Sequence, residues 1–325
     1  MDRLSQFPDD LLIKILSFVR TKDDVAMSIL SKGWLSLWTL VPRVIFDDFS
    51  EEDNDEDEEC NENHAIRSLS QFVSGTLLLQ KAAVLKFFHL NIVLECSSSQ
   101  IGLWVRIAFD RFVRDLKISF YHDHSLVMLP SRLFRCKTLE TLEFYKVILL
   151  DIPSSQFSFH SLMKLHLLSV VYSDGEYFCR LISNCPVLQE LVVEICHQQN
   201  VVTFTVDLPS LKNFSVGNTI QENPPDDHLF VIRSQSLKRL RIVDYFGQLD
   251  LIGILPKLVG ANFNLFPTMP MFWTGDARYP RCTVLFQLLR LELCSCDDSW
   301  TNMLVSLLQH FPKLQPLKHV LAHFL

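Results

Sequence analysis

The stretch Leu162-Met163-Lys164-Leu165-His166-Leu167, answered 26 residues later by Leu188-Gln189-Glu190-Leu191-Val192-Val193, decides the fold. Each copy has the form L-x-x-L-x-L, with other apolar residues allowed at the leucine positions. The pattern recurs at Leu139/Leu142/Phe144, Leu211/Phe214/Val216 and Leu237/Leu240/Ile242. Weaker copies stand at Leu85/Phe88/Leu90, Val113/Leu116/Ile118, Leu258/Ala261/Phe263 and Leu288/Leu291/Leu293. A single match carries little, because roughly 4% of windows match by chance when about a third of residues qualify. The spacing carries the argument. From Leu139 the successive intervals are 23, 26, 23, 26, 21 and 30 residues.

Most of those intervals fall in the range of about 20–29 residues that defines leucine-rich repeats. The alternating residues then predict short parallel strands whose inward side chains stack on neighbouring repeats, so that no repeat buries its apolar face alone. Phe178-Cys179-Arg180-Leu181-Ile182-Ser183-Asn184-Cys185-Pro186 reads as a short helix stopped near the proline and leading into the next strand. Side chains two and four residues after each first leucine line the concave face of such a stack. That row comprises Thr141, Glu143, Lys164, His166, Glu190, Val192, Asn213, Ser215, Arg239 and Arg241. Concave faces of solenoids commonly bind partners, so the row is the candidate target-binding surface, against the alternative of plain solvated strand positions.

Composition agrees. The chain has 325 residues, 48% hydrophobic and 21% charged, which excludes global disorder. Leucine accounts for 53 residues against 9 glycines, which disfavours glycine-rich phosphate loops. The net charge of −7 is local: ten of the thirteen residues 47–59 are Asp or Glu, and without them the balance is −7 + 10 = +3. That tract has no apolar period and reads as a solvated linker. Asp53-x-Asp55-x-Asp57 resembles a calcium loop, but Glu58 and His64 stand where glycine and glutamate are required. No apolar run approaches the ~20 residues of a membrane helix. The acidic start (Asp2, Asp9, Asp10) is unlike a signal peptide, and nine scattered cysteines read as free thiols. The expectation is a soluble protein of the nucleus or cytoplasm.

Residues 4–40 read as a compact set of helices. Pro8 suits a first turn, Asp9 and Asp10 complement the helix dipole, and Leu11, Leu12, Ile15, Leu16 and Val19 follow at helical spacing. Thr21 and Asp24 have the form of a capping box opening a second helix through Val25, Ala26, Ile29 and Leu30. A third segment carries Trp34, Leu37 and Trp38. So small a module cannot bury two tryptophans and this many leucines by itself, so its surplus faces either the next domain or another protein.

Phe7-Pro8-Asp9-Asp10-Leu11-Leu12, Ile15-Leu16-Ser17-Phe18, Thr21-Lys22-Asp23-Asp24-Val25 and Ser28-Ile29-Leu30-Ser31-Lys32-Gly33-Trp34 resemble an F-box of the plant F-box/FBD/LRR-repeat family. Leu133-Phe134-Arg135-Cys136-Lys137-Thr138-Leu139-Glu140-Thr141-Leu142 and the stretch from Phe178 to Leu188 resemble the same family. The resemblance implies docking onto the S-phase kinase-associated adaptor and, through it, onto cullin and RING subunits of an SCF-type ubiquitin ligase. By carry-over, Pro8, Leu11, Leu12, Ile15, Leu16, Leu30, Ser31 and Trp34 make or support the adaptor interface. Phe7, Arg20 and Gly33 stand where the family usually has leucine, proline and arginine, which implies weakened adaptor binding with the apolar anchors retained. Trp300-x-x-Met303-Leu304 and Phe311-Pro312-Lys313-Leu314-Gln315 resemble the segment preceding the FBD domain, with Pro316 and His319 departing from it. On this resemblance the chain is a short or truncated form.

The expected fold class is α+β: an N-terminal all-helical F-box followed by an α/β leucine-rich-repeat solenoid with a parallel concave sheet. The expected domains are an F-box over 1–45, an acidic linker over 46–64, leucine-rich repeats over 65–295 and a truncated pre-FBD segment over 296–325. No hydrolase, metalloprotease or nucleotide-binding motif is present. Cys294-Ser295-Cys296 and His122-Asp123-His124 lack further ligands at metal-site spacing, so no metal, cofactor or catalytic residue is expected. Lys238-Arg239-x-Arg241 is too small a cluster for nucleic acid. The expected function is a non-catalytic substrate-recognition subunit, with an unidentified target protein and neither nucleic acid nor membrane as partner. A repeat scaffold uncoupled from ubiquitination and a hydrolase on a repeat fold are the alternatives.

Overall fold

The structure, a computed structural model, describes residues 7–29, 34–47, 62–93, 96–121, 125–127, 136–149, 158–196, 201–218, 228–245, 249–253, 255–265, 290–295 and 317–321. The chain forms two compact units, residues 1–153 and 154–325.

The first unit opens with helices α1 (Asp9–Leu16) and α2 (Thr21–Met27) and a 3-10 turn (Leu37–Leu40). Leu12, Leu16, Trp34, Leu37 and Val41 form their shared core. The third segment expected around Trp34 and Trp38 is thus a single tight turn. The expected capping box at Thr21 and Asp24 is absent: Arg20 is the N-cap residue and no side chain caps the helix. Thr21 is instead buried, and its Oγ1 accepts a 2.8 Å hydrogen bond from the Ile45 backbone N–H. Arg20 has φ −68°, an angle proline itself would impose, so the turn keeps its shape without the proline.

Strand β1 (Arg43–Asp47) follows directly and pairs in parallel with β2 (Phe87–Ile92), Val44 opposite Phe88 and Phe46 opposite Leu90. Strand β1 thus precedes most of the acidic tract in the sequence. Val41, Val44 and Phe46, across the expected end of the helical module, have the same spacing as the repeats. Helix α3 (Glu62–Leu79) and helix α4 (Ser98–Asp110) cover this end. Gln80, buried at the end of α3, donates from Nε2 to Val41 O (2.7 Å), while its Oε1 accepts from Lys81 and Ala82 N–H. The capping box of this unit lies at α4, where Ser97 and Gln100 exchange side-chain and backbone hydrogen bonds. Trp104, fully buried on α4, satisfies its indole N–H on Ser74 Oγ at 3.0 Å.

The sheet of this unit continues from β2 to β3 (Asp115–Phe120), and from β3, past a short β4 (Ser125–Val127), to β5 (Thr141–Tyr145), all parallel. A second short pair joins β4 to β6 (Val147–Leu149).

The second unit repeats the arrangement. Strand β7 (Lys164–Leu168) is followed by β8 (Val171–Tyr172), helix α5 (Tyr177–Ser183), which ends before Pro186, and β9 (Glu190–Ile195). Strands β10 (Thr203–Asp207), β11 (Asn213–Asn218), β12 (His228–Arg233), β13 (Arg239–Asp244), β14 (Leu249–Gly253) and β15 (Gly260–Leu265) then alternate between two sheets. One sheet runs β7-β9-β11-β13-β15 and on to β16 (Arg290–Ser295) and β17 (Leu317–Leu321). The other is β10-β12-β14. Every pairing with a defined register is parallel, and the pairings of the larger sheet keep leucine position opposite leucine position, as Leu165↔Leu191 and Phe214↔Leu240 do. Where helices were expected between repeats, the described residues after α5 carry short strands. Phe204 and Phe230 stack at 4.7 Å, and Phe178 meets Phe204 edge-on at 4.9 Å. These rings join the second sheet to the helix at the position of the repeats' outer layer. Strand β17 extends the sheet beyond residue 295, where the repeats were expected to stop. His319, in register with Leu293, stands at a leucine position, so the pattern does not match there.

Lys146 and Ser169 have φ of 54° and 53°, each just after an inner strand. They are 23 residues apart, the same interval as Leu139 to Leu162. The repeat thus copies its turn as well as its leucines.

Candidate functional sites: an apolar helix face and an outward strand row

Helix α1 is apolar on two sides. Leu12 and Leu16 point into the core, while Leu11 and Ile15 stay exposed, together with Phe7 before the helix and Phe18 after it. Phe18 is 78% exposed and Ile29, at the end of α2, is 83% exposed. The carried-over set therefore divides. Pro8, Leu11 and Ile15 are accessible, Leu12, Leu16 and Trp34 are buried supports, and Leu30 and Ser31 lie outside the described residues. Phe18, Ile29 and the 63% exposed Leu35 were not singled out from sequence. Phe18 completes the i, i+4, i+7 stripe begun by Leu11 and Ile15, which was the available signal.

One ionisable group underlies this module. Asp24 is buried, its Oδ1 has no hydrogen-bond partner among the described residues, and desolvation pushes its carboxyl up to about 7. The Arg43 guanidinium opposes that rise and Asp23 adds to it.

On the sheets, the expected rows exist. In the first unit, His89 registers with Lys117 and Lys117 with Glu143, while Phe87, Asp115 and Thr141 form the row beside them. In the second unit, Lys164, Glu190, Asn213 and Arg239 form one row, and His166, Val192, Ser215 and Arg241 the next. The register continues these rows through Gly260 to Arg290 and through Asn262 to Glu292.

Side chains on neighbouring strands contact one another across part of this surface. Lys117 Nζ lies 2.9 Å from Glu143 Oε1, His89 Nε2 lies 2.7 Å from Asp115 Oδ1, and His166 Nε2 lies 3.0 Å from Glu190 Oε1. Both histidines reach diagonally to the acid of the next strand. His89, Asp115 and Lys117 were missed from sequence because their copies of the pattern are weak. Arg239 and Arg241 are both exposed, and neither side chain has a hydrogen bond or ion pair among the described residues. They border a surface depression of about 470 Å³ on β9, β11, β13 and β15.

Burial pushes the Cys185 thiol up to about 12 and raises Glu194, whose carboxylate also accepts from Ser169 Oγ at 3.0 Å. Among the described residues no three His, Cys, Asp or Glu side chains group to hold a metal, and no helix is long and apolar enough to cross a membrane. Both His122-Asp123-His124 and Cys296 lie outside the described residues.

Comparison with known proteins matches both regions. Residues 4–46 match the F-box domain, and residues 101–251 match the LRR repeats of FBD-associated F-box protein At5g56370. From Arabidopsis thaliana, F-box/FBD/LRR-repeat protein At5g56420 is 40% identical over 98% of this chain and 76% of its own length. The chain belongs to the F-box/FBD/LRR-repeat family. Two further Arabidopsis thaliana members, F-box/FBD/LRR-repeat proteins At4g26340 and At4g00160, are 37% and 36% identical over 98% of the chain, covering 77% and 71% of their own lengths. In this F-box/FBD/LRR-repeat chain, then, an N-terminal F-box precedes an α/β repeat solenoid built on parallel strands.

Proposed function

We propose that this chain is a substrate-recognition subunit of an SCF-type cullin–RING ubiquitin ligase. The observation that carries the reading is an F-box whose first helix fills its own core with Leu12 and Leu16 while leaving Leu11 and Ile15 exposed, with Phe18 exposed just beyond its end. An apolar stripe of that kind needs cover, and a partner helix bundle supplies it. The S-phase kinase-associated adaptor takes the stripe, with Pro8, Leu11 and Ile15 in contact and Leu12, Leu16 and Trp34 holding the helix in place. Cullin and RING subunits follow through the adaptor. The strand rows, from Thr141 and Glu143 to Arg239 and Arg241, present the target protein. The chain itself catalyses nothing: holding target and activated ubiquitin together makes their reaction effectively intramolecular. Nucleus or cytoplasm is the compartment in which this assembly works.

Co-purification of the full chain with the adaptor tests the reading. The wild type is expected to capture the adaptor, and the L11E/I15E variant to lose it, since two central apolar contacts of this kind are worth roughly 2–4 kcal/mol together. A wild-type chain that folds but captures no adaptor at micromolar concentration would leave a repeat scaffold without ligase coupling.

A further inference from the structure

Two arginines on one strand face of the second unit stand without a side-chain counter-ion among the described residues and border open space. Arg239 and Arg241 are separated by one residue on β13, so their side chains leave the same side of the sheet about 6.6 Å apart along the strand. Both are exposed, with no side-chain ion pair or hydrogen bond among the described residues. On one side, Asn213 and Ser215 of β11 stand opposite them in register and offer an amide and a hydroxyl. On the other, Gly260 of β15 stands opposite Arg239, and a Cβ built there meets nothing within 4 Å. The depression bordered by these residues spans four strands, roughly 14 Å at ordinary strand spacing. Glu190 is the carboxylate at its margin, and it is held by His166 at 3.0 Å.

We propose that this depression binds an acidic segment of the target polypeptide, with two Asp or Glu side chains at alternate positions. An extended segment laid along the strands places its i and i+2 side chains on one side at the same 6.6 Å interval as the arginines, approximately. Each guanidinium fork can then take one carboxylate in a bidentate pair. Asn213 and Ser215 donate to the segment's backbone or spare oxygens, and the missing side chain at Gly260 leaves room for it. A duplex or single strand of nucleic acid fits less well, since such binding rests on many phosphate contacts and, among the described residues, the depression is lined by two cations. This inference names the target class for the receptor proposed above and rests on that reading.

The test uses the full chain and a fluorescent nine-residue peptide with glutamate at alternate positions. Anisotropy should report saturable binding that weakens with salt. The R239E/R241E variant should lose at least tenfold in affinity and recover binding to the same peptide with lysine in place of glutamate. Gly260→Trp, which fills the space and leaves the charge unchanged, should also weaken binding of the glutamate peptide. Thermal unfolding of both variants should match the wild type, because these positions are outside the core. Unchanged peptide affinity in R239E/R241E, or tighter binding of an oligonucleotide of equal charge, overturns the proposal. Adaptor capture measured on the same samples separates the two claims. Arginine-dependent peptide binding without adaptor capture sinks the ligase reading and leaves this site standing. Adaptor capture without arginine-dependent binding does the reverse.

Discussion

The outward strand faces of the two units are built on the same interior and differ in how their charges end. In the first unit Lys117 pairs with Glu143 and His89 contacts Asp115, each on a neighbouring strand. In the second, His166 and Glu190 close one pair, and two strands further on Arg239 and Arg241 stay open. Beneath both, the same ladder holds: Leu116 and Leu142 in one, Leu191 and Phe214 in the other, all buried. A repeat fold therefore separates the residues that make the stack from those that can change without harming it. The outward row is where one member of a family can acquire a partner of its own.

If the interiors are equivalent, truncating either one costs the same. Leu116→Ala and Leu191→Ala should each destabilise by about 2–5 kcal/mol, read from urea midpoints, because each leaves a cavity in a packed stack. A loss confined to one unit would break the equivalence. Below these in size come the glycines. A Cβ at Gly253 would approach Ile232 O to 2.5 Å, so Gly253→Ala must move backbone and should cost about 1–3 kcal/mol. Gly260→Ala meets open space and should change stability by less than about 0.5 kcal/mol. Equal effects at the two would contradict the open depression. Smaller again are the charges. Lys117→Ala should cost at most about 1 kcal/mol, as partly exposed pairs do, while Arg241→Ala should leave the melting temperature unchanged.

The helical module contrasts with both faces, because its notable charge is buried. The folded Asp24 carboxyl titrates at about 7 against an ordinary 3.8, so between those values the folded chain binds more protons than the unfolded one. Stability should therefore fall as pH rises from about 4 to about 7 and level off above. Asp24→Asn should flatten that slope in a series of denaturant melts.

Much of this was legible in the sequence, and the misses have identifiable causes. Strong L-x-x-L-x-L copies located strands β5, β7, β9, β11 and β13, because period-two burial is imposed by the sheet itself. Strand β1 escaped because Val41, Val44 and Phe46 directly follow helical residues, and the acidic tract drew the boundary after them. The strands β10, β12 and β14 escaped because five or six residues have too little period to separate strand from helix. The capping reading at Thr21 failed to tertiary competition: its hydroxyl is taken by the Ile45 N–H of β1. Row positions followed from the leucine spacing, so Arg239 and Arg241 were placed correctly on one face. That they lack counter-ions depends on what lies across the neighbouring strands, which spacing alone does not encode.

The central claim is that one chain carries two separate surfaces, an apolar F-box stripe for the ligase and a strand face for the target. Titration calorimetry of the adaptor against the full chain tests it most directly. The account predicts a measurable dissociation constant for the wild type, unchanged within about twofold in R239E/R241E and weakened at least about tenfold in L11E/I15E. Loss of adaptor binding in R239E/R241E, or none in L11E/I15E, would contradict it.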